Sequence, residues 1–148
     1  MSRLSMPALI AATSLLSLAA PPLATAGESY VVVVNAANPL DRLSRAELSK
    51  MFLRRAVAWP DGVAAVPCDL SGMNPTRKAF STSVHGKPAW IVVAFWQQEI
   101  ASGRGEPPAV CASDQAALQA VRANPGGVAY VAEGTALGTG VKVLILEP

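Results

Sequence analysis

Tyr30-Val31-Val32-Val33-Val34 is an unbroken run of strand-forming residues with no polar residue at alternate positions. A strand with one wet face alternates, whereas a continuous apolar run suits a strand covered on both faces, and such covering is the work of helices. The next segments supply helix signals. Asn35-Ala36-Ala37-Asn38-Pro39 breaks the strand, and Ser44 with Glu47 three residues on forms a capping box ahead of Leu48, Met51 and Phe52. That helix should stop near Leu53-Arg54-Arg55. Trp59-Pro60-Asp61-Gly62 has the proline and glycine of a turn, and Val63 to Val66 reads as a second strand that delivers Cys68 and Asp69 at its carboxyl end.

Asn74 as N-cap and Pro75 at the first helical position start another helix, continued by Ala79 and Phe80 and ended by Gly86. From Pro88 past Trp96 toward Ala101 the chain reads as a further helix. Ile91-Val92-Val93 could equally be a strand, but Pro88 and the length before Gly103 favour the helix. Gly103 to Pro108 is a loop. Ser113 caps a helix through Ala117, Leu118, Val121 and Arg122, which Asn124-Pro125-Gly126-Gly127 closes. Val128 to Ala132 and Val141 to Leu146 are the last strands, around a Gly134 to Gly140 loop. Four strands with helices between them predict a small three-layer α/β domain.

Residues 1–26 read as a secretory signal peptide: Arg3, the apolar stretch Met6 to Ala20, Pro21-Pro22, then Ala24-Thr25-Ala26 as the small-x-small cleavage site. The alternative is an uncleaved membrane anchor, for which the apolar stretch is shorter than the roughly 20 residues of a span. Cleavage would leave an α/β domain over residues 27–148, periplasmic or secreted. In an oxidising compartment Cys68 and Cys111, the sole cysteines, would pair most simply as one disulfide; two buried thiols are the other arrangement. A net charge of +2 with only 15% charged residues gives no basic stripe for nucleic acid. One histidine and two distant cysteines make a poor zinc site, so neither metal nor cofactor is expected. His85 has no neighbouring nucleophile motif, Asp69 has no second acid beside it, and Trp59, Trp90 and Trp96 read as core, so no catalytic constellation emerges.

Several phrases in this order carry a resemblance: Met51-Phe52-Leu53, Trp59-Pro60-Asp61-Gly62, Val66-Pro67-Cys68-Asp69-Leu70, Arg77-Lys78-Ala79-Phe80, Phe95-Trp96, Gly103-Arg104-Gly105 with Pro107-Pro108, and Asn124-Pro125-Gly126-Gly127-Val128-Ala129-Tyr130-Val131. Together they resemble the phosphate-type substrate-binding proteins of ABC transporters, across nearly all of residues 27–148. The resemblance implies a single lobe of a type 2 periplasmic binding-protein-like fold, because the chain is about half of what a two-lobed binder needs. The family's anion loop reads Arg, three residues, then Ser-Gly-Thr at a helix start. By spacing from Phe80 these fall on Leu70, Asn74, Pro75 and Thr76, so only the threonine is kept.

A helix start after a strand end also suits an anion on its own chemistry, through free N–H groups and the helix dipole. The candidate anion-binding residues are Ser71, Gly72, Asn74, Thr76 and Arg77. The expected function is non-enzymatic: an exported solute-binding-like module taking phosphate or a similar small oxyanion weakly, within an ABC uptake or sensing system. The alternative is a ligand-free interaction lobe docking on a membrane transporter or sensor component.

Overall fold

The computed structural model describes residues 29–148; the signal peptide read at 1–26 and its cleavage site lie outside the described residues. Six strands, β1 (Tyr30–Asn35), β2 (Arg42–Ser44), β3 (Val66–Leu70), β4 (Ala109–Cys111), β5 (Gly127–Ala132) and β6 (Val141–Glu147), form one sheet in the order β2-β6-β1-β5-β3-β4. β1 runs antiparallel to both its neighbours, with Val32 opposite Tyr130 on one side and Leu144 on the other. β2 is parallel to β6, and β3 is parallel to β4 and β5. The other five strands therefore share one direction and end at one edge of the sheet, where β1 begins.

Helices cover both faces. Asn35 on β1 donates from Nδ2 to the Val121 and Arg122 carbonyls of α4 (Asp114–Ala123), which buries Ala117, Leu118 and Val121. On the opposite face lie α1 (Arg45–Phe52) and α2 (Pro75–Phe80), the latter running straight into a π-helical turn, Ser81–His85, that ends at Gly86 with φ 65°. α3 (Ala89–Ala101) follows. This face holds an aromatic cluster. Phe80 stacks on Tyr130 with centroids 3.8 Å apart, while Phe52 packs 4.9 Å from Phe80 and Tyr30 meets its edge at 5.4 Å. Three aromatic rings fully buried in the cluster, each worth more than its area alone, fasten α1 and α2 to the sheet.

The capping signals act as read. Ser44 and Glu47 complete both halves of the capping box, Asn74 Oδ1 accepts from Thr76 N–H at 2.8 Å, and Ser113 Oγ accepts from Ala116 N–H at 3.1 Å. Gly126 and Gly127 show why α4 must close on glycines. A Cβ on Gly126 would collide with the Ala64 carbonyl, and one on Gly127 would lie 2.8 Å from Val121 Cα. The Gly126 carbonyl also accepts from Trp59 Nε1 and from Val66 N–H, both at 2.9 Å.

Three expectations change. The second strand is Val66–Leu70 rather than Val63–Val66, so Cys68 and Asp69 lie within it and not beyond its end. The residues before it make only an Ala58–Ala64 bridge around the Trp59–Gly62 turn. Two further strands, β2 and β4, raise the count from four to six; each has three residues, too few to register as a period. Trp59 and Trp96 are core as expected, but Trp90 is exposed on α3. The segment Ile91-Val92-Val93 is helical. Cys68 and Cys111 form a disulfide that joins β3 to the edge strand β4, with Cα atoms 6.0 Å apart.

Candidate functional site

The common edge collects the starts of three helices: α1 after β2, α2 after β3, and α4 after β4. In open α/β sheets this is the edge where ligands bind, because side-chain and backbone donors at successive helix starts converge there. The β3–α2 loop, Ser71 to Asn74, is part of it. Ser71 is exposed and its Oγ accepts from Met73 N–H at 3.4 Å. Gly72 lies against α3, where a Cβ would come 3.1 Å from Val93 Cγ2. Asn74 is half-buried and engaged as the cap, and Thr76 is buried.

Arg77 faces the interior. The candidate loop therefore has Ser71, Gly72, Asn74 and Thr76 at the helix start, with the guanidinium behind them rather than among them. Its Nη1 donates to the Leu70 carbonyl at 2.6 Å and its Nη2 lies 3.1 Å from Asp69 Oδ2. Both side chains are almost fully enclosed. Asp69 Oδ1 accepts from the Tyr130 hydroxyl and from Leu70 N–H, the latter at 3.0 Å. Burial pushes the Asp69 carboxyl above the usual carboxylate range against the pull of Arg77, and burial together with the Asp69 charge raises the Tyr130 phenol. The network ties the end of β3 to the first turn of α2 and to the middle of β5.

Sequence reasoning placed Asp69 and Arg77 but did not join them, and it did not single out Tyr130 as a polar partner. The available signal is the Asn74-Pro75 helix start, which folds the chain back so that residues 69 and 77 meet. Nothing local points to Tyr130, which is 61 residues from Asp69. Leu70, at the family's arginine position, is fully buried. His85 ends the π-helical turn with Nδ1 2.8 Å from Ser49 Oγ, and burial, then the Arg77 charge, push its pKa down to about 4. Among the described residues no group of three or more His, Cys, Asp or Glu is placed to hold a metal ion, and no helix is long and apolar enough to cross a membrane.

No protein-family model matches the sequence, and no curated protein matches it either. The fold does have solved counterparts. An ABC-type phosphate transport receptor from Vibrio cholerae superposes with a TM-score of 0.60 at 18% identity, over 79% of this chain and 45% of that one. A phosphate-bound structure from Clostridium perfringens, described as a candidate phosphate ABC transporter substrate-binding protein, gives 0.61 at 13% identity, over 79% and 44%. A candidate phosphate-binding protein from Planctomyces limnophilus gives 0.60 at 15%, over 80% and 41%. The chain thus spans less than half the length of each of these proteins. Its fold is a periplasmic binding-protein-like α/β fold, in extent roughly one lobe.

Proposed function

We propose that this protein is an exported, non-enzymatic solute-binding module whose β3–α2 loop takes phosphate or a similar oxyanion weakly, in the service of an ABC uptake or sensing system. The observation that supports it is the single edge at which five parallel strands end and three side-chain-capped helices begin, in a fold shared with proteins named for phosphate binding. Ser71, Gly72, Asn74 and Thr76 are the proposed contacts. Arg77 is the positioning residue behind them, because its hydrogen bond to the Leu70 carbonyl fixes where the loop leaves β3.

Without a guanidinium on the solvent side, the loop has no bidentate charged clamp, the strongest kind of oxyanion contact. A lone lobe also leaves the anion in high dielectric, where Coulomb attraction is weak. Titration calorimetry with inorganic phosphate is expected to give a dissociation constant no tighter than about 0.1–1 mM, weakened further by Asn74→Ala. A micromolar constant would contradict this single-lobe, clamp-free reading.

A second reading, a ligand-free lobe that docks on a membrane transporter or sensor component, is favoured by the internal engagement of Arg77 and by Met73, the most exposed large apolar side chain among the described residues, at the tip of the same loop. Absence of any heat with phosphate or sulfate at tens of millimolar would select it.

A further inference from the structure

Beside α2, and beginning at Pro75 directly after the candidate loop, lies a groove of about 780 Å³, bounded by the β1–β6 part of the sheet, the start of α1, and α2 with the π-helical turn. Its volume is in the range typical of small-molecule sites. Leu146, Pro75 and Ala79 supply its accessible apolar surface, with the buried Val32 and Leu144 beneath. Among the described residues that line it none carries a carboxylate, whereas two, Arg45 and Lys78, are cationic. Both are exposed, and neither has an ion-pair partner among the described residues.

Two details give this lining a direction. Arg45 is the first residue of α1, where the helix dipole disfavours a positive charge. Its placement there runs against local preference, and such conflicts concentrate at functional positions. Ser83, carried by the π-helical turn, accepts a 2.7 Å hydrogen bond from the Tyr30 hydroxyl. With its oxygen engaged as an acceptor, the Ser83 hydroxyl has its own proton left to donate. π-helical segments are rare and recur at functional sites.

We propose that this groove is a binding site for a small amphipathic anion: one carboxylate or phosphate head on an aliphatic tail of medium length. Arg45 and Lys78 face the head, Ser83 donates to it, and the tail lies on Leu146, Pro75 and Ala79. The site shares no lining residue with the proposed oxyanion contacts Ser71, Gly72, Asn74 and Thr76, and does not depend on that loop's function.

The test is calorimetric titration of the purified protein with octanoate and octyl phosphate, with octanol and inorganic phosphate as partial ligands. Octanoate and octyl phosphate are expected to bind at about 1 mM or tighter, and octanol at least about threefold more weakly. Arg45→Gln with Lys78→Gln, both on exposed helix surface, should weaken octanoate by about three- to tenfold. Ser71→Ala, an exposed loop position outside the groove's lining, should leave octanoate unaffected, which separates this site from the oxyanion loop. No octanoate binding at about 10 mM, equal affinity for octanol, or full affinity in the double variant would each overturn the proposal. Phosphatidylglycerol vesicles serve as the arm for a head presented by a bilayer: co-sedimentation with vesicles, without binding of free octanoate, would also overturn it.

Discussion

Arg77→Leu is expected to lower stability by about 3–5 kcal/mol at pH 7.5, the usual cost of removing one partner from an enclosed ion pair. The substitution leaves the Asp69 carboxyl with only the Tyr130 hydroxyl and Leu70 N–H, and it deprives the buried Leu70 carbonyl of its 2.6 Å donor. The loss should depend on pH in a definite sense. Burial already raises Asp69, with Arg77 as the main opposing influence. An acid whose folded pKa stands above its unfolded value, about 3.9, binds more protons when folded, so stability falls as pH rises through that window. Without Arg77 the folded pKa climbs further, and the difference between variant and parent must widen from pH 4 upward. Urea unfolding at pH 4.5 and 7.5, with the disulfide intact, measures both. The double variant Asp69→Asn with Arg77→Leu, which removes the charge together with its partner, should recover to within about 1–2 kcal/mol of the parent. A loss below about 1 kcal/mol at pH 7.5, or an equal loss at both pH values, would refute the assignment of this pair as an uncompensated charge when split.

Reduction of Cys68–Cys111, which closes a loop across a separation of 43 residues, should cost about 4 kcal/mol in the chain-entropy model; unfolding curves with and without reductant give the value. His85 is held neutral by burial, its pKa near 4 against an ordinary 6.5, so the unfolded chain binds the extra proton. Stability should therefore fall as pH drops from about 6.5 toward 4, and His85→Gln should flatten that slope in pH-dependent thermal unfolding. Intact-mass measurement of exported protein should give a chain beginning at Gly27; material that retains Met1 would contradict the leader reading.

Much of the fold was legible because its signals are local. The Tyr30–Val34 run, the Ser44–Glu47 box, Asn74-Pro75 and Ser113 each state their element within a few residues. β3 was displaced because Pro67 and Asp69 are poor strand residues by propensity. Both are tolerated here by distant partners: Pro67 lies opposite Val128, and Asp69 is matched by Arg77 and Tyr130. β2 and β4 exist by pairing with β6 and β3, not by any pattern of their own. At the candidate site the residue types were readable but their directions were not. Whether a guanidinium at the second position after a helix-starting proline reaches solvent or folds back depends on what waits beneath it, here a carboxylate on the preceding strand.

The first strand of the described fold lies between the last two. Val32 is paired with Tyr130 and Leu144, each about a hundred residues further on, so the sheet cannot close around β1 until nearly the whole chain is present. Such long-range closure slows folding, because loop entropy is lost before contacts repay it. During synthesis, β1 emerges early and must wait for its neighbours, an apolar strand without partners. A chain truncated before Gly127 would lack both of them permanently, and is expected to remain unfolded and prone to aggregate. The order in which the segments appear thus postpones the native state until the last strand arrives.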